Sequence, residues 1–518
     1  MRDEFPNGAQ RGERFEHFTK EQWGHEQIRL AQNGAPNLWA AVVVQQKGNV
    51  ITARRLFVVL TAVALAAFSG CTHVPPESAV APVSATSGQP SLAYPPLPGI
   101  PVSAQFNLSL NGQSVPVYEG PAGYFAVLRT DGPIELTLKR VGEPITQAVL
   151  RPLPRNTVPQ VKAGVVSLRL SGPGTAAIEL NGDQVKPIFF FVKPPEVPPA
   201  PTEVTHYFAP GKVYDLPKGK LLLKSGESVY IAGGAVVRGS IEARGTRTAP
   251  VKGVHIFGQG LLMPTEKGQP LSLMNTEDTR VEGLTVLNTL NWTFRIFESA
   301  RVKVSGVHVF ATGKYSDGLD IMGSRDVEVR DSFFHSHDDC IAIKGGKWNF
   351  SGNVENVTLD NLMIWKAVAG NGIEIGYETD VDTIRNITVR NIAIMHAGRK
   401  ENPFRRAALS MHHCGRAEIS NVLYEDITIE QARENLIHLW VGRSNFAKGD
   451  KLGTIRDVTY RRVRYIDGTA IPSVIDSAEV PGSISGIKFE DCEILGRKVN
   501  GPADMELQVN GAPVPTFR

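Results

Sequence analysis

The sequence predicts an all-β protein: a right-handed parallel β-helix preceded by a small β-sandwich. Three observations carry that prediction. A unit of the form apolar-x-apolar-x-[Gly/Asp/Asn]-apolar-x-apolar recurs along the C-terminal part of the chain. Short alternating runs of apolar residues come before it. The 50 glycines and 35 prolines supply the many turns that β structure needs.

Residues 1–49 are polar and show no clear period, and they precede a secretory-type segment. A true translation start near Val50 is expected. Residues 50–71 contain RRLFVVLTAVALAAFSGC: two arginines, an apolar run, then small residues before Cys71. That is the order of a signal peptide. FSGC resembles a bacterial lipobox, whose cysteine becomes the lipidated first residue. The expected place is the bacterial cell envelope, as a membrane-anchored lipoprotein that is periplasmic or surface-exposed, or else a secreted protein. Residues 72–104, rich in Pro, Ser and Ala, read as a flexible tether.

FNLSLNG, IELTLKRV, VVSLRLSG and AAIELNG lie within 105–193, separated by polar or glycine turns. They suit a small β-sandwich. A proline-rich linker, 194–204, separates it from the repeats of 205–518. Repeat units begin at Val254, Val302, Val327, Val357, Ile387, Val422, Val458 and Ile487. The step is 25 residues from Val302 to Val327 and 29–36 thereafter. Each unit, with two short strands and a bend, is one coil of a β-solenoid. Its apolar side chains fill the interior, and parallel strands stack about 4.8 Å apart. A propeller ranks second, since it needs closure and a more uniform repeat.

Composition narrows the function. The chain is 42% hydrophobic and 21% charged, with a formal charge of +3. A nucleic-acid binder would show a basic face with interleaved aromatics. The four cysteines, Cys71, Cys340, Cys414 and Cys492, are too scattered for a disulfide framework and show no CxxC spacing. No cofactor or metal is expected, and the chain is expected to be a monomer.

The second strand of successive coils reads FRIF (294–297), LDIM (319–322), IAIK (341–344) and IEIG (373–376). Two places before each stand Trp292, Asp317, Asp339 and Asn371. Equal offsets put these residues on neighbouring rungs, so Asp317 and Asp339 are expected roughly 5 Å apart at Cα. Asp338 adjoins Asp339. Three carboxylates so close repel one another, and one is expected to hold a proton at neutral pH. Glycoside hydrolysis needs that division of labour, with a protonated acid for the leaving oxygen and ionised carboxylates to activate water. The plain alternative is that these aspartates end strands at turns, where Asp is common. A single Asp-Gly fits that alternative; three stacked carboxylates fit it poorly.

SDGLDI (316–321) resembles the NTDG(I/F)DI motif of glycoside hydrolase family 28, the polygalacturonases. HDDCIAIKGG (337–346) resembles that family's DDCIAIKSG, and GNGIEIG (370–376) falls where it has GHGISIGS. LNWTFRIF (290–297) resembles the stretch before the first motif, and the likeness spans roughly residues 205–495. The resemblance implies an inverting hydrolase acting on a polysaccharide. Asp338 would be the general acid, and Asp317 and Asp339 would together hold and activate the water. In an inverting enzyme the acid and base stand about 6.5–9.5 Å apart. The two column aspartates are too close for that, which leaves Asp338 on the far side of the scissile bond.

Two departures bear on the sugar. The family histidine of GHG is Asn371 here. The family's RIK motif, which clamps a substrate carboxylate, falls near Ala408-Leu409-Ser410, where no cation stands. Weak or no action on polygalacturonate is therefore expected, unless Arg405 or Arg406 substitutes. The stretch 364–398 is also similar to family 49, the dextranases and isopullulanases. That family too carries a β-sandwich before its β-helix and uses neutral α-glucans. The substrate is accordingly pectin-like or a neutral α-glucan. Substrate contacts are expected from Asn371, Lys344, Trp292, Tyr315, His337, Arg405, Arg406 and His412. His335 and His413 are further cleft candidates. Asp320 reads as a cleft residue or a turn partner, and Asn356, Asn361, Asn386 and Asn391 as turn ladders. Two other classes compete: a calcium-dependent polysaccharide lyase, and a non-catalytic carbohydrate-binding surface protein. A lyase needs a strong base in the acid column, and none is there. A binder has no need of three packed carboxylates.

Overall fold

The structure, a computed structural model, describes residues 44–46, 49–51 and 94–518, except 154–156, 266–268, 288–290, 367, 399–404 and 448. Cys71 and the signal segment lie outside the described residues. The chain divides at Thr86/Ser87 into two units. In the first, Val44–Gln46 pairs antiparallel with Asn49–Ile51.

The second unit holds two β architectures. Strands between Phe106 and Lys193 form two five-stranded sheets packed face to face. Ile134–Arg140 alternates buried and exposed side chains, the pattern of a sheet with one wet face. Phe106, Leu108, Leu136, Leu168, Ile178 and Phe190 fill the space between the sheets. The strand Asp183–Lys193 departs from alternation, because Ile188 to Lys193 are all buried. Phe190 faces the sandwich core, whereas Phe189 and Phe191 face away into the solenoid.

From His206 to Phe517 the strands stack in parallel as a β-helix. One ladder runs through Leu271–Met274, Phe294–Phe297, Leu319–Met322, Ile341–Lys344, Ile373–Tyr377, Ala407–His413 and Asn435–Val441. This ladder carries the aspartates described in the next subsection. A second ladder carries the repeat units first seen in the sequence. Its interior positions stack like on like: Tyr424, Tyr460, Phe489 and Phe517 form a column with ring centroids 5.0–5.2 Å apart. Those spacings match the pitch of parallel strands.

Each coil must turn sharply between ladders. Asp326, Asn356, Asn386, Asn421 and Asp457 occupy the same bend with φ of 54–58°. Asn and Asp tolerate this left-handed conformation because their short polar side chains bond locally. Here they bond to one another: Asn356 Nδ2 donates to Asp326 (2.8 Å), Asn386 to Asn356 (3.0 Å) and Asn421 to Asn386 (2.8 Å). Asn361 donates to Asp331 and Asn391 to Asp360, in a parallel ladder one bend away.

The third ladder packs on the sandwich. Leu261, Leu287, Phe310, Phe333, Trp365 and Met395 meet Tyr118, Phe125, Phe189 and Phe191 in one apolar cluster. A buried polar group locks the same junction. Arg151 donates to Glu179 (2.6 Å) and Glu430 (2.9 Å), and His396 meets Glu179 at 2.5 Å. The tether and linker are docked where they are described. Tyr94 and Leu97 belong to the junction cluster. Glu196 accepts hydrogen bonds from Gly233 N and Gln259 N, both at 2.9 Å. These proline-rich stretches thus gain burial that a free tether would lack.

Candidate active site

The aspartate-bearing ladder fixes the column by its hydrogen bonds. Thr293 N donates to Asp317 O (2.9 Å), Gly318 N to Asp339 O (2.8 Å) and Cys340 N to Asn371 O (2.9 Å). Trp292, Asp317, Asp339 and Asn371 therefore occupy equivalent places on successive rungs. One carboxylate oxygen from each of Asp317, Asp338 and Asp339 lies within 4.8 Å of the other two. That spacing is shorter than the acid–base gap expected from the sequence. Asp317 and Asp339 are buried and Asp338 is half-buried.

The Asp338–Asp339 turn is clamped from below. Ser336 Oγ donates to Asp338 O at 2.8 Å. Gly370, at φ +63°, lies against the turn. A Cβ there would stand 2.5 Å from Asp338 Oδ1 and 2.3 Å from Asp339 N, so only glycine allows this approach.

Lys344, on the Asp339 rung, reaches back across the sheet. Its Nζ donates to Asp317 Oδ2 (2.9 Å) and Asp320 Oδ1 (2.7 Å). Trp292 covers the ammonium, with the ring centroid 3.7 Å from Nζ. Burial pushes the Asp317 carboxyl well above the usual carboxylate range, Lys344 pulls it down, and Asp320 and Asp338 push it further up. Burial also pushes Asp339 up, reinforced by Asp317, Asp338 and Glu374 and opposed by Lys344. Burial alone would lower Lys344, but Asp317, Asp320, Glu378 and Asp339 outweigh it and hold the ammonium well above its ordinary value. One buried cation thus opposes the protonation of both column aspartates.

Several expected substrate contacts are placed elsewhere. Asn371, 3% exposed, turns inward: its backbone N and Nδ2 donate to Asp339 Oδ1 at 2.7 and 3.0 Å, and its Oδ1 accepts from Ala407 N. It orients Asp339. Lys344 is consumed by two carboxylates, and Trp292 lies over it. His412 is fully buried, held by Glu374 (2.8 Å) and facing His438 (3.1 Å). His413 is buried on Thr379. His335 packs against Phe189 and Phe310 at the sandwich junction. The column offset and the motif resemblance placed Asn371, Lys344 and Trp292 near the carboxylates, but neither shows whether a side chain points to substrate or binds its neighbouring coil.

Other expected contacts stay at the surface. Tyr315 is 59% exposed beside Lys314. His337 is half-buried and lines a cavity of about 490 Å³ between sandwich and solenoid. Arg406 donates to Val368 O at 3.1 Å. Arg405 is exposed and lies 3.7 Å over the Trp440 ring. Ala408, Leu409 and Ser410 are fully buried, and Ser410 bonds Glu374. Asp320, left open between two readings, is a fully buried partner of Lys344. Its outward parity was the signal.

A parallel β-helix with three clustered aspartates on one face defines a glycosidase of the solenoid class. The sequence model described as "Glycosyl hydrolases family 28" matches residues 226–501, more than half of the chain, and the chain belongs to that family. The probable exopolygalacturonase B of Aspergillus flavus is 28% identical over 187 residues, 33% of this chain and 40% of that protein. The probable endopolygalacturonase D of Neosartorya fischeri is 23% identical over 239 residues, 42% and 46% of the two chains. The match spans less than half the length of each relative. Dex49A from Penicillium minioluteum shares the fold, with a TM-score of 0.51 and 14% identity over 82% of this chain and 97% of that one.

Proposed function

We propose that this chain hydrolyses glycosidic bonds in a galacturonan-type polysaccharide, with inversion at the anomeric carbon. One observation carries the reading: Asp317 and Asp339, on adjacent rungs, share the counter-charge of Lys344 beside a more open Asp338. The two column carboxylates hold one water between them and take its proton. Asp338 protonates the leaving oxygen from the cleft side. The oxygen spacing is below the ~6.5–9.5 Å usual for inverting pairs. Support for inversion rests instead on the paired arrangement of the two water-holding groups and on the family resemblance.

The relatives named above are polygalacturonases. Arg405, exposed over Trp440, offers a guanidinium that can take a uronate carboxylate where Ala408–Ser410 offer no charge. A neutral α-glucan is the second reading, favoured by the buried Glu374 carboxylate next to that uncharged strip. The lyase reading loses support because the lysine nearest the acids is held protonated by two of them. We further propose that Cys71 anchors the chain in the cell envelope; Cys71→Ser is then expected to leave the membrane fraction.

The deciding experiment measures new reducing ends from polygalacturonate, dextran and pullulan, with NMR of the first anomer released. Release from polygalacturonate with an inverted anomer is expected. A retained anomer overturns the mechanism, and action on dextran alone overturns the substrate.

A further inference from the structure

The strand that ends at Lys344 runs into a two-stranded antiparallel hairpin, Gly346–Lys347 with Phe350–Ser351. It stands out from the parallel stack beside the carboxylates. At its tip Trp348 has φ 58° and is 64% exposed. A bulky side chain in the left-handed region is an outlier that a surrounding structure must hold in place. Here the surroundings are evident. Phe350 packs on Phe297 at 5.2 Å, and the Trp348 ring meets Trp292 at 5.0 Å. Trp292 in turn lies on the ammonium that holds Asp317.

Lys347 also lies beside a second exposed aromatic. Its Nζ is bonded to Glu378 at 2.5 Å. The same ammonium lies 4.9 Å from the Trp292 ring, 5.6 Å from Trp348 and 5.7 Å from Phe446. One cation therefore sets the spacing of two exposed rings that come from different loops, since Phe446 is 54% exposed. Large exposed aromatics rimmed by polar groups mark binding surfaces. The face of an aromatic ring is electron-rich. The C–H face of a pyranose is its complement, and a preset ring costs little entropy on binding.

We propose that Trp348, with Phe446 beside the same ammonium, forms a sugar-stacking subsite for a pyranose ring of the substrate polymer, on the Trp292 side of the carboxylates. This rests on the hydrolase reading for the identity of the polymer. Lys347 is a positioning residue that holds the two rings in register.

The test uses the full chain carrying Asp338→Asn, so that ligand survives the titration. Trigalacturonate and isomaltotriose are titrated by calorimetry and by quenching of tryptophan fluorescence. Adding Trp348→Ala is expected to weaken binding of whichever trisaccharide binds by tenfold or more. Trp348→Phe is expected to keep affinity within about threefold. Lys347→Met is expected to fall between the two, with an unchanged melting curve for the two Trp348 variants. Equal affinities with and without Trp348→Ala, or binding of neither trisaccharide, overturn the subsite. Turnover of the unsubstituted chain on the polymer panel tests the hydrolase reading separately, so either can fail alone.

Discussion

Two of the buried charge clusters among the described residues differ in their balance. At the junction of sandwich and solenoid, two carboxylates, Glu179 and Glu430, meet one guanidinium and one imidazole, Arg151 and His396. On the aspartate-bearing ladder, Asp317 and Asp320 bind one ammonium, Lys344, and Asp338 and Asp339 lie beside Asp317. In the first set Arg151 and His396 each bond a glutamate, and the set holds two layers together. The second carries surplus negative charge, which a bound proton or a cation would relieve. Burial makes that surplus expensive. A chain that keeps it is using it.

The widest gap between the clusters should appear in turnover. Asp317→Asn and Asp339→Asn are expected to lose about a thousandfold or more in kcat, on polymer and activated aryl glycosides alike, while circular dichroism stays unchanged. Asp338→Asn should lose as much on polymer but far less on aryl glycosides, whose leaving group needs no proton. Equal losses on both would deny Asp338 the role of acid.

Lys344→Met tests the surplus itself. It leaves Asp317 and Asp320 buried without a partner, at about 3–5 kcal/mol of stability. Because Lys344 pulls the Asp317 carboxyl down, its removal should carry the acid limb of the pH–rate profile to higher pH. An unmoved limb breaks the link between Lys344 and catalysis.

Arg151→Met makes the junction cluster unbalanced. A similar loss of about 3–5 kcal/mol is expected, with kcat of the surviving folded enzyme unchanged. A subtler effect comes from Glu430, which burial raises from 4.5 to about 7 against the pull of Arg151. The folded state then binds a proton that the unfolded chain releases between those values, so stability falls as pH rises from 4.5 to 7. Glu430→Gln should flatten the melting temperature across that window. Smallest of all, Asn386→Ala should cost about 1 kcal/mol, read from chemical denaturation, since it removes one exposed rung of the bend ladder.

The sequence made the catalytic column legible because a solenoid repeats its offsets, so equal distances from successive strands mean equal places in space. It also showed the sandwich strands, where alternation survives. Three things were hidden. Phe189–Val192 reads as a continuous apolar run, which does not say that half of it faces a second layer. Arg151 and Glu430 stand 279 residues apart and share no local pattern. Trp348 sits in a hairpin between repeats, outside any period. Asn371 and His412 were expected to meet substrate, yet each is bound by neighbouring coils, Asn371 by Asp339 and Ala407 and His412 by Glu374 and His438, contacts that the pattern of a single strand does not encode.

The bends held by Asp326, Asn356, Asn386, Asn421 and Asp457 have a consequence for how such a chain changes over generations. Each coil is closed by the same corner, so a whole coil can be gained or lost between corners without altering the register of its neighbours. The cleft would lengthen or shorten by one strand spacing, about 4.8 Å, while the three acids stay as they are. A single-residue insertion inside a strand has no such freedom, because it would turn every following side chain from core to solvent. Appetite for longer or shorter sugar chains is thus adjustable in whole coils, and chemistry is not adjustable at all.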